Sequence, residues 1–123
     1  MADRALEAWL WLARLPGVGP RTSTLIIEAY GHPEAFRAAS EADRAAHGLP
    51  RAAVRAPHDA VSLQPGIDAD LRWAEAGDRH LIARDYARYP TLLTRIGDPP
   101  PMLYLRGDPD ALNAHIQAGG VHH

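Results

Sequence analysis

The chain has 123 residues, enough for one ordinary domain or for a small domain followed by part of a second. Its composition, 46% hydrophobic and 23% charged, is typical of a globular protein and excludes a disordered tail or a rod. The net charge of -2 argues against a protein that coats nucleic acid through its overall field, so any DNA contact must be local. The absence of cysteine excludes disulfides and favours a cytoplasmic location, and no apolar run is long enough to span a membrane.

The beginning of the chain has helical periodicity. Apolar residues recur every three or four positions from Arg4 to Ala13, which predicts an amphipathic helix with one buried stripe. Pro16 ends this helix, and a turn with two glycines leads to a second helix from Pro20 to Tyr30, because the fixed φ of proline suits a first helical position. Gly31 follows where a left-handed C-terminal cap belongs.

Shorter helices complete this helical part. Pro33 begins one that continues to Ala39, and Ser40 to Asp43 resembles a capping box for another that ends near Gly48. Residues 50–56 add one or two further turns. Pro57 to Gly66 holds two prolines and a glycine but few large apolar residues, which predicts a connector with a domain boundary close to it.

The pattern then alternates between helix and strand. A helix is predicted from Asp68 to Ala76 and a short strand from His80 to Ala83. A short helix follows from Tyr89 to Ile96, and three consecutive prolines separate it from a second strand at Met102 to Leu105. This order is the opening of an α/β layer.

The glycine turn between the first two predicted helices, from Leu15 to Thr22, carries the main candidate site. Glycine lets the backbone turn tightly and approach another molecule. The N–H groups that open the second helix lack helical acceptors and lie at the positive end of its dipole, so they suit a phosphate oxygen. Such contacts bind the sugar–phosphate backbone and do not touch the base edges, so the predicted DNA binding is independent of base sequence. The candidate DNA-backbone residues are Arg14, Gly17, Val18, Gly19, Arg21 and Thr22.

A purely structural hairpin is the interpretation that the residues alone favour, because glycine-rich turns commonly connect helices without binding anything. The acidic residues Glu7 and Glu28 also lower the local positive field. Trp9 and Trp73 lie on faces predicted to be buried, which favours core packing over stacking on DNA bases, whereas Trp11 is left open.

Other kinds of site have no support in the sequence. The seven histidines lack the spacing of a zinc site, and the aspartates after residue 97 lie in turn-rich segments, where Asp usually bends the backbone. No catalytic triad, Cys-His pair or phosphate-binding loop occurs. We therefore predict no enzymatic activity, no metal and no cofactor.

Two blocks of the sequence carry a family resemblance. Leu15 to Thr22 resembles the N-terminal helical domain of the DNA-processing protein A (DprA/Smf) family, which is of the helix-hairpin-helix, SAM-like type. The second block is more distinctive, because Tyr89-Pro90, the triple proline ending at Pro101 and a strand ending in Arg106-Gly107 occur together and in order, as at the entry to that family's Rossmann-like domain. Together the blocks cover about residues 10 to 108.

The resemblance implies a mainly α fold. A helical SAM-like domain would occupy residues 1–60, the opening (helix, strand, helix, strand) of an incomplete Rossmann-like domain would occupy 61–114, and 115–123 would be a tail, either tag sequence or a natural end. After Gly107 the sequence departs from the family pattern, because the expected apolar strand and Gly-Ser-Arg turn are missing. The family's main DNA site lies beyond that point.

The implied function is that of a cytoplasmic recombination mediator. Proteins of this family bind incoming single-stranded DNA during natural transformation, protect it and help to load the RecA recombinase, with a homodimer possible at full length. The alternative is a protein–protein interaction module that makes no DNA contact in this part of the chain. A helix-hairpin-helix appendage of a nuclease or repair enzyme is disfavoured by the block from Tyr89 to Gly107.

Overall fold

A computed structural model of the chain describes residues 4–59 and 61–110. This part is mainly helical, as predicted, and contains a two-stranded antiparallel sheet. Its α-helices are α1 (Arg4–Arg14), α2 (Pro20–Tyr30), α3 (Pro33–Ala38), α4 (Glu41–Ala46), α5 (Arg51–Val54) and α6 (Gln64–Trp73). The strands are β1 (Arg79–Ala83) and β2 (Met102–Arg106), and a 3-10 helix (Thr91–Arg95) lies between them.

Helix α1 is the central element of the molecule. It packs against α3, α6 and β2, and all of its residues from Ala8 to Leu12 are buried. The prediction of a single buried stripe was therefore wrong, because a helix surrounded by neighbours buries residues all round. Trp11, which the sequence left open, is fully buried, as is Trp9.

Local capping chemistry sets the helix ends, as the sequence predicted. Gly31 has φ 80° and donates its N–H to the carbonyl of Ile27 at 2.7 Å. Ser40 accepts the N–H of Asp43 on its hydroxyl at 3.0 Å, which forms the first half of the capping box. The Asp43 carboxylate turns instead to the Tyr30 hydroxyl, which donates to it at 2.6 Å.

Two predicted helices have different bounds in the structure. Helix α6 begins at Gln64, not Asp68, because Pro65 falls in its first turn, where proline costs no helical hydrogen bond, and it ends at Trp73. The short helix predicted from Tyr89 is a 3-10 helix that begins at Thr91, with Pro90 as its N-cap residue.

The sheet consists of five antiparallel pairs, with Leu81 opposite Tyr104 at its centre. Residues 84–101 connect the two strands. A Rossmann-like crossover would instead place sequential strands parallel to each other. The antiparallel pairing of β1 and β2 does not show such a crossover, so the Rossmann-like nature of this part stays a prediction. The SAM-like nature of the helices before it stays a prediction as well.

A single cluster of buried residues extends across the predicted domain boundary. Trp9 and Phe36 contribute from one side, and Ile67, Leu81 and Met102 contribute from the other. The connector thus joins two stretches of chain that share a core in the described part of the molecule. The division at residue 60 stays a prediction, and the predicted tail at 115–123 lies outside the described residues.

Candidate nucleic-acid interface

Two backbone hydrogen bonds and two buried side chains hold the turn between α1 and α2. Leu15 donates its N–H to the carbonyl of Leu12 at 3.3 Å, and Val18 donates to the carbonyl of Leu15 at 3.2 Å. Leu15 and Val18 are 4% and 7% exposed, so both anchor the turn in the core. Val18 is consequently a structural residue, although it was one of the candidate DNA contacts.

The two glycines of the turn have different surroundings. Gly17 has φ +75°, which favours glycine, and a Cβ added there would lie 3.0 Å from the Cβ of Ala52 in the α5 region. Gly19 has an extended conformation that any residue can adopt, and a Cβ there would meet nothing within 4 Å. Gly17 therefore serves the packing of the turn, whereas the space at Gly19 is open to a ligand.

Helix α2 opens next to this free space. Gly19 is its N-cap residue, with no side chain to cap the helix, and Pro20 follows without an N–H. The first helical hydrogen bond runs from the N–H of Ser23 to the carbonyl of Gly19 at 2.9 Å. The N–H groups of Arg21 and Thr22 are thus left at the positive end of the α2 dipole, in the arrangement that binds anions.

The two candidate arginines lie in different environments. Arg21 is exposed and forms no ion pair with the described residues. Arg14 instead donates two hydrogen bonds to Asp70, from Nε at 2.8 Å and from a terminal nitrogen at 2.7 Å. The hydrogen bond to Asp70, more than its charge, raises the pKa of Arg14 against the opposing effect of burial. Of the six candidate residues, Gly19, Arg21 and Thr22 therefore remain together at a free helix end.

Asp70, the partner of Arg14, is a residue that the sequence analysis missed. It is 7% exposed and also accepts the Tyr104 hydroxyl at 3.0 Å, so it joins α1, α6 and β2. Burial, followed by the charge of Asp70, raises the pKa of Tyr104 to about 12. The three residues are far apart in the sequence, and nothing in their spacing indicates that they meet.

Arg44 of α4 was missed as well. It is 0% exposed, and burial lowers its pKa. Its guanidinium lies 4.3 Å from the centre of the Phe36 ring and donates to five backbone carbonyls. These belong to Phe36, Arg37, Ala53, Val54 and Ala56. Arg44 thus ties the end of α3 to the end of α5 and is not available to a ligand.

The block that carries the family resemblance builds the connection between the strands. Tyr89 is 4% exposed and donates its hydroxyl to the carbonyl of Pro100 at 2.7 Å. Pro99 and Pro101 are buried, and Pro101 accepts the N–H of Arg84 at 3.1 Å. Each of these residues therefore has a structural role in the loop from β1 to β2.

The described part of the chain offers no stacking platform at Trp9 or Trp11, no metal-binding cluster and no membrane-spanning helix. Trp9 and Trp11 are buried, so they cannot stack on nucleic-acid bases, while the half-buried Trp73 packs edge-on against Tyr104 at 5.9 Å. Within residues 4–59 and 61–110, no group of three or more metal-binding side chains is found. None of the helices in these two ranges is both long and apolar enough to cross a bilayer.

Comparison with known proteins adds no relative: no protein-family model matches the chain, and no curated protein gives a significant match. The interpretation of the site therefore depends on the sequence and the geometry.

Proposed function

We propose that this chain is the N-terminal part of a DNA-processing protein of the DprA/Smf type and that its hairpin turn touches the backbone of single-stranded DNA. The observation that carries the DNA contact is the open space at Gly19, directly before the uncapped N–H groups of α2. Arg21 is exposed beside them and has no acidic partner among the described residues. A phosphate oxygen satisfies the free donors and the positive end of the helix together.

On this proposal the parent protein works in the cytoplasm without catalysing a reaction. It protects single-stranded DNA and assists RecA loading, and most of its DNA contact is made by a segment beyond Gly107. The family assignment is supported by the block from Tyr89 to Gly107. The contact made by this chain is weak and independent of base sequence, because a single helix end holds about one phosphate.

Gly19 allows a direct test of the phosphate contact. Replacing it by Asp adds a negative charge at the proposed phosphate position, and Gly19→Asn is the matched neutral control of nearly equal shape. Both side chains can cap α2, so neither variant should lose stability. We expect the affinity for a labelled oligonucleotide, measured by fluorescence anisotropy at low salt, to fall in the order wild type, Asn, Asp, with Asp weaker than Asn by on the order of ten-fold.

Salt dependence provides the second measurement. One phosphate contact predicts a slope of log K against log salt of about -0.7 for a single strand, and Gly19→Asp should abolish this slope. Equal binding by the Asp and Asn variants, with circular dichroism showing both folded, would contradict the contact at Gly19. No binding by the wild type at low salt would favour the interaction module.

The interaction module is the second candidate function, and one observation favours it. A groove of about 590 Å³ with leucines in its lining follows the edge of β1. No residue of α2 lines this groove, so it is separate from the candidate DNA contact at Gly19. Apolar grooves of this size are typical of sites that bind another molecule.

A further inference from the structure

In the described part of the chain no strand pairs with the outer edge of β1, and the hydrogen bonds at the two ends of the sheet show which backbone groups face that edge. Gly107 donates its N–H to the carbonyl of Asp78 at 2.6 Å, and Arg84 donates to Pro101 at 3.1 Å. In an antiparallel ladder, pairs that exchange hydrogen bonds alternate with pairs that do not. The even-numbered residues of β1 therefore point their backbone groups towards β2, and the odd-numbered residues point theirs outwards.

Some of these outward groups have acceptors or donors elsewhere. Arg79 donates its N–H to Ala76, and the carbonyl of Ala83 accepts the N–H of Tyr86. The N–H and the carbonyl of Leu81 have no hydrogen-bond partner among the described residues. An unpaired N–H and carbonyl at a sheet edge form a template on which another strand can pair.

The groove runs along this free edge. Its lining includes the consecutive residues His80 to Ile82, whose side chains alternate between the faces of the sheet, so the groove follows the edge of the strand and not one face. Leu6 of α1, Leu71 of α6 and Ala74, which directly follows α6, form an apolar wall beside it. An added strand could therefore pair with Leu81 and bury apolar side chains against α1 and α6.

The charge of the groove is one-sided. Arg79 and Arg88 line it, and none of its lining residues, all within the described part of the chain, is acidic. The Nε of Arg79 is buried without a hydrogen-bond partner. Arg79, whose guanidinium lies 5.7 Å from the centre of the Trp73 ring, also stands directly opposite Arg106 in the sheet, a pairing of like charges that an anion would stabilise. The nearby Asp85 points towards His32, 3.9 Å away, and not into the groove.

We propose that this edge of β1 binds an extended peptide segment of a partner protein, with apolar and acidic side chains, as a third strand of the sheet. The unpaired N–H and carbonyl of Leu81 match a peptide backbone, which offers both an acceptor and a donor, whereas the phosphates of a nucleic acid only accept. The apolar wall selects apolar side chains, and the two arginines select acidic ones. The edge of β1 is favoured over that of β2 because the groove and these arginines lie beside β1.

The test uses a fluorescent synthetic peptide of about eight residues, a length that covers a typical strand, with alternating Val and Glu. Its control is the same peptide with N-methylated amides on the edge that faces β1, which removes the donor to Leu81 and leaves the side chains unchanged. We expect N-methylation to weaken binding on the order of ten-fold or more, as the loss of a hydrogen bond does. Hydrogen exchange of the Leu81 amide should slow by a similar factor when the unmodified peptide binds.

Charge variants of the protein test whether the groove selects acidic side chains of the peptide. Arg88→Glu should weaken binding of the Val-Glu peptide more than Arg88→Gln does, and Arg55→Glu, which changes an exposed arginine outside the groove, should leave it unchanged. Equal binding of the N-methylated peptide would overturn the strand pairing, and equal binding of a Val-Lys peptide would overturn the charge selection.

Two further outcomes identify other occupants of the groove and would each overturn the proposal. One is displacement of the peptide by a single-stranded oligonucleotide that itself protects the Leu81 amide, which would indicate a nucleic-acid site. The other is slow exchange of this amide in the free protein, which would indicate that the chain's own residues cover the edge. Failure of the peptide test leaves the Gly19 experiment unaffected, since the two sites share no residue.

Discussion

At the scale of single residues, Arg44 shows how a buried cation can be kept without a carboxylate. Its donors are satisfied by backbone carbonyls at the ends of α3 and α5, where the helix dipoles are negative. The ring of Phe36 lies 4.3 Å away and adds a cation–π contact. This one side chain thereby adds hydrogen bonds at the C-terminal ends of two short helices, and it is the donor to the carbonyls of Val54 and Ala56.

We predict that Arg44→Met destabilises the protein by about 3–5 kcal/mol, because it leaves the carbonyls of Val54 and Ala56 without a donor among the described residues and removes one of the donors to three others. Arg44→Lys should cost less, since an ammonium group can still reach some of these carbonyls. Urea unfolding measures both. Arg55→Met, at an exposed arginine, is the control and should change the free energy of unfolding by less than about 0.5 kcal/mol. Equal midpoints for Arg44→Met and Arg55→Met would contradict the bridging role.

At the scale of elements, a glycine of α6 leaves space for a side chain of α1. A Cβ on Gly66 of α6 would lie 2.5 Å from a terminal nitrogen of Arg14. The Arg14 side chain is itself fixed by its two hydrogen bonds to Asp70. Gly66 therefore makes room for the ion pair that connects the two helices, at the cost of the lower helix propensity of glycine.

A double-mutant cycle tests this role of Gly66. Gly→Ala stabilises a helix interior by about 1 kcal/mol, and at Gly66, in the first turn of α6, we expect a smaller gain. We expect Gly66→Ala to show this gain when Arg14 is also replaced by Ala, and to lose most of it when Arg14 is present, because the new methyl group displaces the guanidinium from Asp70. The free energies of unfolding of the four proteins give the coupling. A coupling of zero would show that the Arg14 side chain moves aside for the new methyl group without losing its interaction with Asp70.

At the scale of the whole molecule, two tyrosine hydroxyls connect parts of the fold that are distant in sequence. Tyr30 of α2 donates to Asp43 of α4, and Tyr104 of β2 donates to Asp70 of α6. Burial is the main cause that raises the pKa of each, followed by the acidic partner, and each pKa rises from 10 to about 12. The folded state thus holds both phenol protons more tightly than the unfolded chain does.

This shift predicts how stability depends on alkaline pH. A raised pKa contributes stability that is fully present below the unfolded value of 10 and is lost as the pH rises to about 12. We expect the melting temperature, followed by circular dichroism, to fall across this window, together with the appearance of tyrosinate absorbance. A Tyr30→Phe, Tyr104→Phe double variant should show a smaller fall. An equally steep fall in that variant would assign the pH dependence to other groups.

The sequence by itself was enough to predict the mainly helical character, the bounds of α2 and the caps at Gly31 and Ser40. It also placed both strands to within a residue at each end. These features depend on proline, glycine and capping side chains acting on residues no more than four or five positions away. The glycine turn of the candidate site was found for the same reason, because its chemistry is local.

The tertiary structure alone decided which of these features face a neighbour. It buried the middle of α1 on all sides, placed Ala52 against Gly17, and paired Arg14 with Asp70, a residue 56 positions away. It also paired the strands antiparallel and left the outer edge of β1 without a partner strand among the described residues. Contacts between distant residues leave no period or spacing in the sequence, because their energy depends on where the packed helices bring each side chain. The sequence therefore predicted the donors that open α2, and only the fold determined that Gly19 leaves them accessible while Arg14 is bound to Asp70.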